Sequence, residues 1–336
     1  MPRATIKGVA QRAGVSTTRV SHVINSTRFV EEQTRQLVLD AIKDLHYRPS
    51  MIARSLTTNR TGTVGIIASD VTNLFFAEII RGAEDVLGPA NYGLIVCNLD
   101  EKPEREIHHL ELLMRQRVDG IIAAAVTTRW HDFSLIETQG TPMVYVDRAF
   151  EGMHSPFGGV DNFGGAYAAT CHLLRAGHSD IGVVTGFKSL STMRQRLAGI
   201  TQALKEQDLD LRPDWVVECA QDAEDARQAV VTLLSKADRP NAIFFAATNV
   251  MTLATLASIR DLGLRCPQDV ALIGFDDHPW AQVTNPTISV VRQPARELGR
   301  VAARMLCSRM DNEPIEESTV LLACELVLRE SCCVAH

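Results

Sequence analysis

The chain has 336 residues, of which 46% are apolar and 22% charged, and its net charge is −6. This length suggests two or three domains, and the composition excludes disorder as the main state. Apolar runs such as residues 120–126 are far shorter than the roughly 18 residues of a membrane span. The N-terminus also lacks the apolar segment of a secretory signal. We therefore expect a cytoplasmic protein.

The eight cysteines do not form a metal or redox motif. They contain no C-x-x-C pair, and no Cys/His cluster has zinc-finger spacing. A phosphate-binding loop and a nucleophile elbow are also missing from the sequence. We therefore expect no metal and no cofactor, and the role of Cys332 and Cys333 near the C-terminus stays open.

Charge is distributed unevenly along the chain. Residues 1–60, which we call the head, contain ten Lys and Arg against four acidic residues, a net charge of +6. Residues 61–336, which we call the body, therefore carry the remaining −12 of the total −6. A basic head on an acidic body indicates a polyanionic partner for the head alone.

The first part of the head predicts two short helices joined by a tight turn. Apolar residues at the spacing i, i+3, i+4, i+7 mark the first helix, and they are Ile6, Val9, Ala10 and Ala13. Thr5 is its expected N-cap and Gly14 its C-cap, while Ser16 caps the second helix. Gly8 stands where a capping box would have Glu or Gln. A three-residue turn between two helices is typical of a helix-turn-helix.

A third helix, from about residue 31 to residue 46, would complete a small three-helix core. Its expected inward residues are Thr34, Leu37, Val38, Ala41, Ile42 and Leu45. In such a unit, early residues of the second helix face base edges in the major groove. The candidate DNA-contacting residues here are Thr5, Ser16, Thr17, Thr18, Arg19, Ser21, His22 and Asn25. The alternative is a helical bundle that binds no DNA.

Two segments of the head resemble the N-terminal signature of the lactose-repressor (LacI/GalR) family, nearest to its purine- and ribose-repressor members. They read TIKGVAQRAGVSTTRVSHVIN and RFVEEQTRQLVLDAIKDLHYRPSMIARSL. The family usually has Asp where this chain has Gly8, a departure that concerns helix capping. The resemblance implies that residues 49–60 form a hinge helix on operator DNA, where Ala53 and Leu56 contact the minor groove. The alternative is a plain linker with Leu56 packed on the body.

In the body, short β-rich runs alternate with helical stretches, and a β-rich stretch at residues 318–328 follows the last helix. This alternation predicts doubly wound parallel sheets. The expected fold class is a small all-α helix-turn-helix head plus an α/β body of two doubly wound parallel-sheet lobes. The expected division is head 1–48, hinge 49–60, first lobe 61–160 with 291–321, second lobe 161–290 with 322–330, and tail 331–336.

Polar side chains follow several of the predicted strands, at the sheet edge where open α/β sheets bind ligands. Carboxylates, guanidinium groups and amides beside aromatic rings suit a small polyhydroxylated ligand. Asp70, Arg194 and Asp277 are better interpreted as caps or ion-pair residues. Residues 61–329 resemble the family's effector domain, which is similar to periplasmic sugar-binding proteins. That resemblance implies an effector site made of Asn73, Phe75, Phe76, Asp147, Arg148, Arg196, Asp276 and Gln293. Thr248 and Asn249, which also follow a predicted strand, complete the candidate set, although relatives commonly have Asn-Asp at these two positions.

The ligand class follows from a departure from the family pattern. Relatives often place an aromatic residue near the position of Gln221 to stack on the ligand, and this chain has none there. We therefore expect a sugar or sugar acid rather than a flat purine. Arg148 and Arg196 would suit a carboxylate or phosphate.

Head and body together imply a ligand-responsive DNA-binding transcription regulator, expected to be a repressor and not an enzyme. It would bind a pseudo-palindromic operator as a homodimer and respond to a small effector between its lobes. The alternative is a cytoplasmic sugar-binding or sugar-modifying protein with a vestigial head. The sequence leaves open which effector binds, whether it is an inducer or a corepressor, and which operator and genes are controlled.

Overall fold

The computed structural model describes residues 4–25, 28–47, 60–126, 140–150, 152–219, 223–245 and 249–332, without the side chains of Asn25 and of residues 245–250. The predicted hinge with Ala53 and Leu56, as well as Gln221 and Thr248, lies outside these residues. The chain divides into two compact units, Met1–Gly62 and Thr63–His336. A search of the described helices finds none with the length and apolar character of a membrane span.

The described residues of the first unit form three helices, α1 Ile6–Ala13, α2 Thr17–Asn25 and α3 Glu32–Asp44. The predicted caps are confirmed by their hydrogen bonds and backbone angles. The Thr5 hydroxyl accepts from the Gly8 N–H at 3.2 Å, and the Ser16 hydroxyl accepts from the Arg19 N–H at 3.3 Å. Gly14 has φ +66°, the left-handed conformation that ends α1.

One valine from each helix is fully buried at the centre of this unit: Val9, Val20 and Val38. The prediction that Leu37 and Leu45 point inward is wrong, since they are 51% and 36% exposed. Leu37 lies at the edge of the stripe formed by Val38 and Ala41. Leu45 follows the last residue of α3, where the helical period no longer directs it to the core.

In the second unit, the part of the chain that the structure describes forms two six-stranded sheets flanked by helices. Its first elements are β1 Thr63–Ala68, α4 Leu74–Leu87, β2 Gly93–Asn98, α5 Pro103–Arg115, β3 Gly120–Ala123, β4 Met143–Val146 and β5 Phe157–Val160. Next come α6 Asn162–Arg175, β6 Ile181–Thr185, α7 Ser191–Lys205, β7 Val216–Glu218, α8 Ala223–Leu234, β8 Ala242–Phe245, α9 Asn249–Asp261 and β9 Ala271–Phe275. The last are β10 Ser289–Arg292, α10 Ala295–Met310, β11 Thr319–Leu322 and β12 Glu325–Val327. Short 3₁₀ turns are Pro213–Trp215, Pro279–Gln282 and Glu330–Cys332.

The sheet orders confirm two doubly wound lobes. The first sheet has the order β11-β5-β4-β3-β1-β2, and all its pairings are parallel. The second has the order β12-β10-β9-β8-β6-β7, in which only the pairing of β10 with β12 is antiparallel. Central strands such as β3 and β9 are buried along their whole length, as expected for parallel strands covered on both faces.

The chain passes from one described sheet to the other after β5, after β10 and after β11. The predicted boundaries at 290/291 and 321/322 fall one or two residues too early. Val291 still pairs with β9 of the second sheet, and Leu322 still pairs with β5 of the first. The β-rich stretch at 318–328 accordingly divides into two strands of different sheets.

Helices α4 and α10 of the first lobe pack with their backbones in close contact. A Cβ atom on Gly82 would lie 1.9 Å from the Arg296 carbonyl oxygen, and one on Gly299 would lie 2.0 Å from the Ile79 carbonyl oxygen. Only glycine therefore fits at these two crossings. This contact holds α10, the first helix after the chain returns from the second lobe, against α4, which begins at the cleft.

Candidate functional site

Five of the eight predicted DNA-contacting side chains of residues 5–25 are exposed on the described surface of the head. Thr5 is exposed. Four residues around the start of α2 are exposed as well: Ser16, Thr17, Thr18 and Arg19. Ser21 and His22 are half-buried, and the side chain of Asn25 is not described. The first turn of α2 contains no acidic residue, so its N-terminus presents donors and positive potential to an anion.

In the body, one cleft at the carboxyl ends of the strands brings together eight of the ten predicted effector residues. They are Asn73, Phe75, Phe76, Asp147, Arg148, Arg196, Asp276 and Gln293. Glu101, Thr192 and Met193 complete the lining and were missed by the sequence. Thr248 lies outside the described residues, and the side chain of Asn249 is not described. The free volume is about 30 Å³, the space of about one water molecule.

The first lobe contributes the start of α4 to the cleft. The Asn73 side chain caps the helix, because its Oδ1 accepts from the Phe75 N–H at 3.1 Å. Phe75 and Phe76 are buried and meet edge to face with their ring centres 5.1 Å apart. Both rings belong to the core of the first lobe as well as to the cleft. Helix capping and core packing therefore account in part for the presence of Asn73, Phe75 and Phe76 at this position.

The end of β4 contributes a buried acid and a buried base. Asp147 has a left-handed φ of +69°, a conformation uncommon for a non-glycine residue. Arg148 donates through Nη1 and Nη2 to the two carboxylate oxygens of Glu101, each at 2.7 Å. Its Nε lies 3.4 Å from Asp147 Oδ2. Glu101 could have been found by the same signal as the others, since it follows the end of the second strand.

The second lobe contributes Arg196 from α7, which is almost fully buried. Its Nε donates to Asn162 Oδ1 at 2.8 Å, and its guanidinium carbon lies 3.5 Å from the centre of the Phe275 ring. Asp276 follows β9 with φ +73° and accepts from Gln293 Nε2 at 2.5 Å. Gln293 Oε1 is buried without a hydrogen-bond partner among the described residues, so it can accept from a ligand.

Burial controls the charge of the two aspartates in the cleft. It raises the pKa of Asp147 to about 6, although the guanidinium groups of Arg148 and Arg196 oppose the rise. Burial also raises the pKa of Asp276, against the opposing effect of Arg196 and the hydrogen bond from Gln293. Buried carboxylates of this kind favour partners that donate hydrogen bonds. Across the described part of the chain, no group of three or more metal-binding side chains is found.

Of the three residues interpreted as caps or ion-pair residues, Asp277 forms ion pairs, Asp70 bonds within the turn before α4, whose N-cap is Asn73, and Arg194 bonds to a backbone carbonyl. Asp70 Oδ1 accepts from the Thr72 N–H at 2.9 Å, and Asp277 Oδ2 pairs with Arg292 at 2.6 Å and with Arg329 at 2.8 Å. Arg194 is exposed and donates to the Ser189 carbonyl. The cleft is therefore lined by Asp276 and not by its neighbour Asp277, and by Arg196 and not by Arg194.

Comparison with known proteins decides the family. The model for bacterial regulatory proteins of the lacI family matches residues 5–50, and that for a periplasmic binding protein-like domain matches residues 170–332. The chain is 36% identical over 329 residues to the HTH-type transcriptional repressor PurR of Pasteurella multocida (strain Pm70), covering 98% of each chain. It is 37% identical over 334 residues to PurR of Haemophilus influenzae (strain PittEE), with the same coverage. The chain belongs to the LacI family.

Solved structures agree with this assignment. A transcriptional regulator CelR–cellobiose complex is 30% identical, with a TM-score of 0.73 and coverage of 98% of this chain and 100% of that one. The lac repressor dimer bound to operator and the anti-inducer ONPF shares the fold, with a TM-score of 0.89 at 23% identity over 99% of this chain and 100% of that one. This LacI-family member is a DNA-binding transcriptional repressor with an effector-binding domain. The predicted family and fold class are confirmed, and its relatives are repressors rather than enzymes.

Proposed function

We propose that this repressor binds a sugar or sugar acid in the cleft between its two lobes. The observation that carries the proposal is the set of buried hydrogen-bonding groups at the strand ends. The carboxylates of Asp147 and Asp276 and the Oε1 atom of Gln293 can accept from hydroxyl groups, and Arg196 can donate to them. A ligand that cannot donate hydrogen bonds would leave the buried Gln293 Oε1 atom unpaired, at a cost in affinity.

A purine is the second candidate effector. Its support is the 36–37% identity to repressors named PurR over nearly the whole chain. The CelR structure, at 30% identity, has cellobiose bound. The cleft favours the sugar because the rings of Phe75 and Phe76 meet edge to face and are packed into the core, and Arg196 covers the face of Phe275. A flat base would need a free ring face on which to stack.

We further propose that a homodimer binds a pseudo-palindromic operator in the cytoplasm. The proposed contacts of the head are Thr5, Ser16, Thr17, Thr18, Arg19, Ser21, His22 and Asn25, with Ala53 and Leu56 of the hinge in the minor groove. The exposed polar start of α2 and the net charge of +6 support this assignment. The lac repressor, which has the same fold, was solved as a dimer on operator.

The effector proposal is tested by calorimetric titration of the full-length protein. The probes are D-ribose, D-glucose, cellobiose, D-gluconate, hypoxanthine and guanine. We expect one of the four carbohydrates to bind and neither purine to do so. Binding of a purine alone would refute the sugar assignment and establish the second candidate.

A matched pair of arginine variants tests the location of the site. Arg196→Lys keeps the charge but loses the planar fork, so it should weaken ligand binding about tenfold or more. Arg194→Lys is the control, because Arg194 is exposed on the same helix and does not line the cleft. Equal affinities of the two variants would remove Arg196 from the site.

A further inference from the structure

The loop after β2 holds Glu101 in position through backbone contacts. The Leu99 N–H donates to the Ala68 carbonyl and the Glu101 N–H donates to the Ser69 carbonyl, both at 3.0 Å. Asp100 and Glu101 have left-handed φ values of +50° and +54°. Two consecutive non-glycine residues in this region persist only where the surrounding structure holds them. The fold therefore presents the Glu101 carboxylate to the cleft.

Glu101 meets Arg148 in a two-point ion pair. Two parallel bonds of 2.7 Å join the guanidinium to the carboxylate, and the side chains are only 9% and 22% exposed. Although burial opposes it, hydrogen bonding to Glu101 raises the pKa of Arg148. This fork-to-carboxylate geometry is the one by which arginine binds carboxylates and phosphates of ligands. In this cleft, the carboxylate of Glu101 already occupies the ligand-binding side of the Arg148 guanidinium.

The formal charges of the cleft follow from the same contacts. The guanidinium groups of Arg148 and Arg196 stand against the carboxylates of Glu101, Asp147 and Asp276, which is two positive against three negative charges. We propose that Glu101 determines the charge of the effector: by occupying Arg148 it rejects anionic ligands and reserves the cleft for neutral ones. An anion could bind Arg148 only by breaking a half-buried ion pair and leaving Glu101 unpaired beside a second negative charge.

This inference rests on the proposed function, since it concerns the ligand of the same cleft and narrows sugar or sugar acid to a neutral sugar. Inorganic phosphate is the probe that separates the two claims, because it reports on Arg148 whatever the effector is. Phosphate and the neutral carbohydrates D-ribose, D-glucose and cellobiose are titrated into the full-length protein near neutral pH at constant ionic strength. The variants are Glu101→Gln, the control Glu104→Gln, and Glu101→Gln combined with Arg148→Gln.

Glu104 suits the control because it is exposed in the first turn of α5 and does not line the cleft. We expect Glu101→Gln to bind phosphate about tenfold or more tighter than the unaltered protein, as gain of a charge-assisted pair implies. Glu104→Gln should match the unaltered protein. The double variant should lose the gain, because the freed guanidinium is then gone.

The inference is overturned if Glu101→Gln binds phosphate no tighter than the unaltered protein, or if the double variant retains the gain. Should Glu101→Gln fail to fold, Glu101→Asp replaces it, since a side chain one methylene shorter cannot keep both bonds. A smaller gain is then expected, and no gain overturns the inference. A phosphate gain without binding of any carbohydrate refutes the sugar proposal alone. Carbohydrate binding without a phosphate gain refutes the role of Glu101 alone.

Discussion

Replacing the buried Asp147 carboxyl by an amide should make the body more stable above about pH 6 and leave it almost unchanged near pH 4. Asp147 is held among Arg148, Arg196, Glu101 and Asp276, and burial outweighs the two guanidinium groups in setting its pKa. Asparagine has the same shape and tolerates a φ of +69° at least as well as aspartate. Asp147→Asn therefore removes the buried charge with little change in geometry.

The sign and size of the effect follow from proton linkage. The folded protein has a pKa of about 6 at Asp147 against an ordinary value of 3.8, so between these values it keeps a proton that the unfolded chain releases. Stability is therefore lost as the pH rises through this window. A difference of about two pH units, at about 1.36 kcal/mol each, corresponds to a loss on the order of 3 kcal/mol. Above about pH 6 the Asn variant should recover this amount.

Urea unfolding followed by tryptophan fluorescence measures the effect in the body alone, because all three tryptophans lie beyond residue 62. Free energies of unfolding are compared for the unaltered protein and Asp147→Asn from about pH 4 to about pH 8. The difference should grow with pH and level off above the pKa. A difference that does not vary with pH, or a variant that is less stable at neutral pH, would refute the linkage argument.

Three further predictions concern helix packing and capping. Gly82→Ala should destabilise the body by at least about 2 kcal/mol in urea unfolding, since its Cβ would lie 1.9 Å from the Arg296 carbonyl oxygen. An unchanged midpoint of urea unfolding would show that α4 and α10 can move apart at little cost. Gly8→Ala is the matched change in an open helix position, where the nearest atom is 3.7 Å away. It should stabilise the head by about 0.5–1 kcal/mol and slow hydrogen exchange in residues 6–13, whereas faster exchange would contradict this. Thr5→Ala should speed the same exchange about fivefold through loss of a cap that contributes about 1 kcal/mol, and an unchanged rate would show that the cap is not stabilising.

Local chemistry made much of this fold predictable. The caps at Thr5, Gly14 and Ser16 follow from residue type alone, because the side chain or the missing Cβ acts on its own helix end. The cleft residues were found because parallel strands end at one edge of a sheet, so residues far apart in sequence converge there. The missed residue Glu101 also follows a strand, but its pairing with Arg148, 47 residues away, depends on the register of the sheet and cannot be predicted from the strand-end rule.

The errors have a common physical origin in tertiary context. Leu37 has the apolar character of a core residue, yet the helix packs through Val38 and Ala41 and leaves it exposed. Periodicity within one helix cannot say how wide the buried stripe is. Similarly, strand propensity at residues 318–328 is continuous, and only pairing with β5 and β10 divides it between two sheets.

The proposed function requires that ligand binding in the cleft and DNA binding at the head influence each other. We would measure ligand affinity by calorimetry with and without a pseudo-palindromic duplex that the protein itself has selected from a random pool. Duplex affinity would be measured by fluorescence anisotropy with and without the ligand. We expect both affinities to change by the same factor, about fivefold or more, because the coupling free energy is reciprocal. A ligand affinity that is identical with and without the duplex would contradict this expectation.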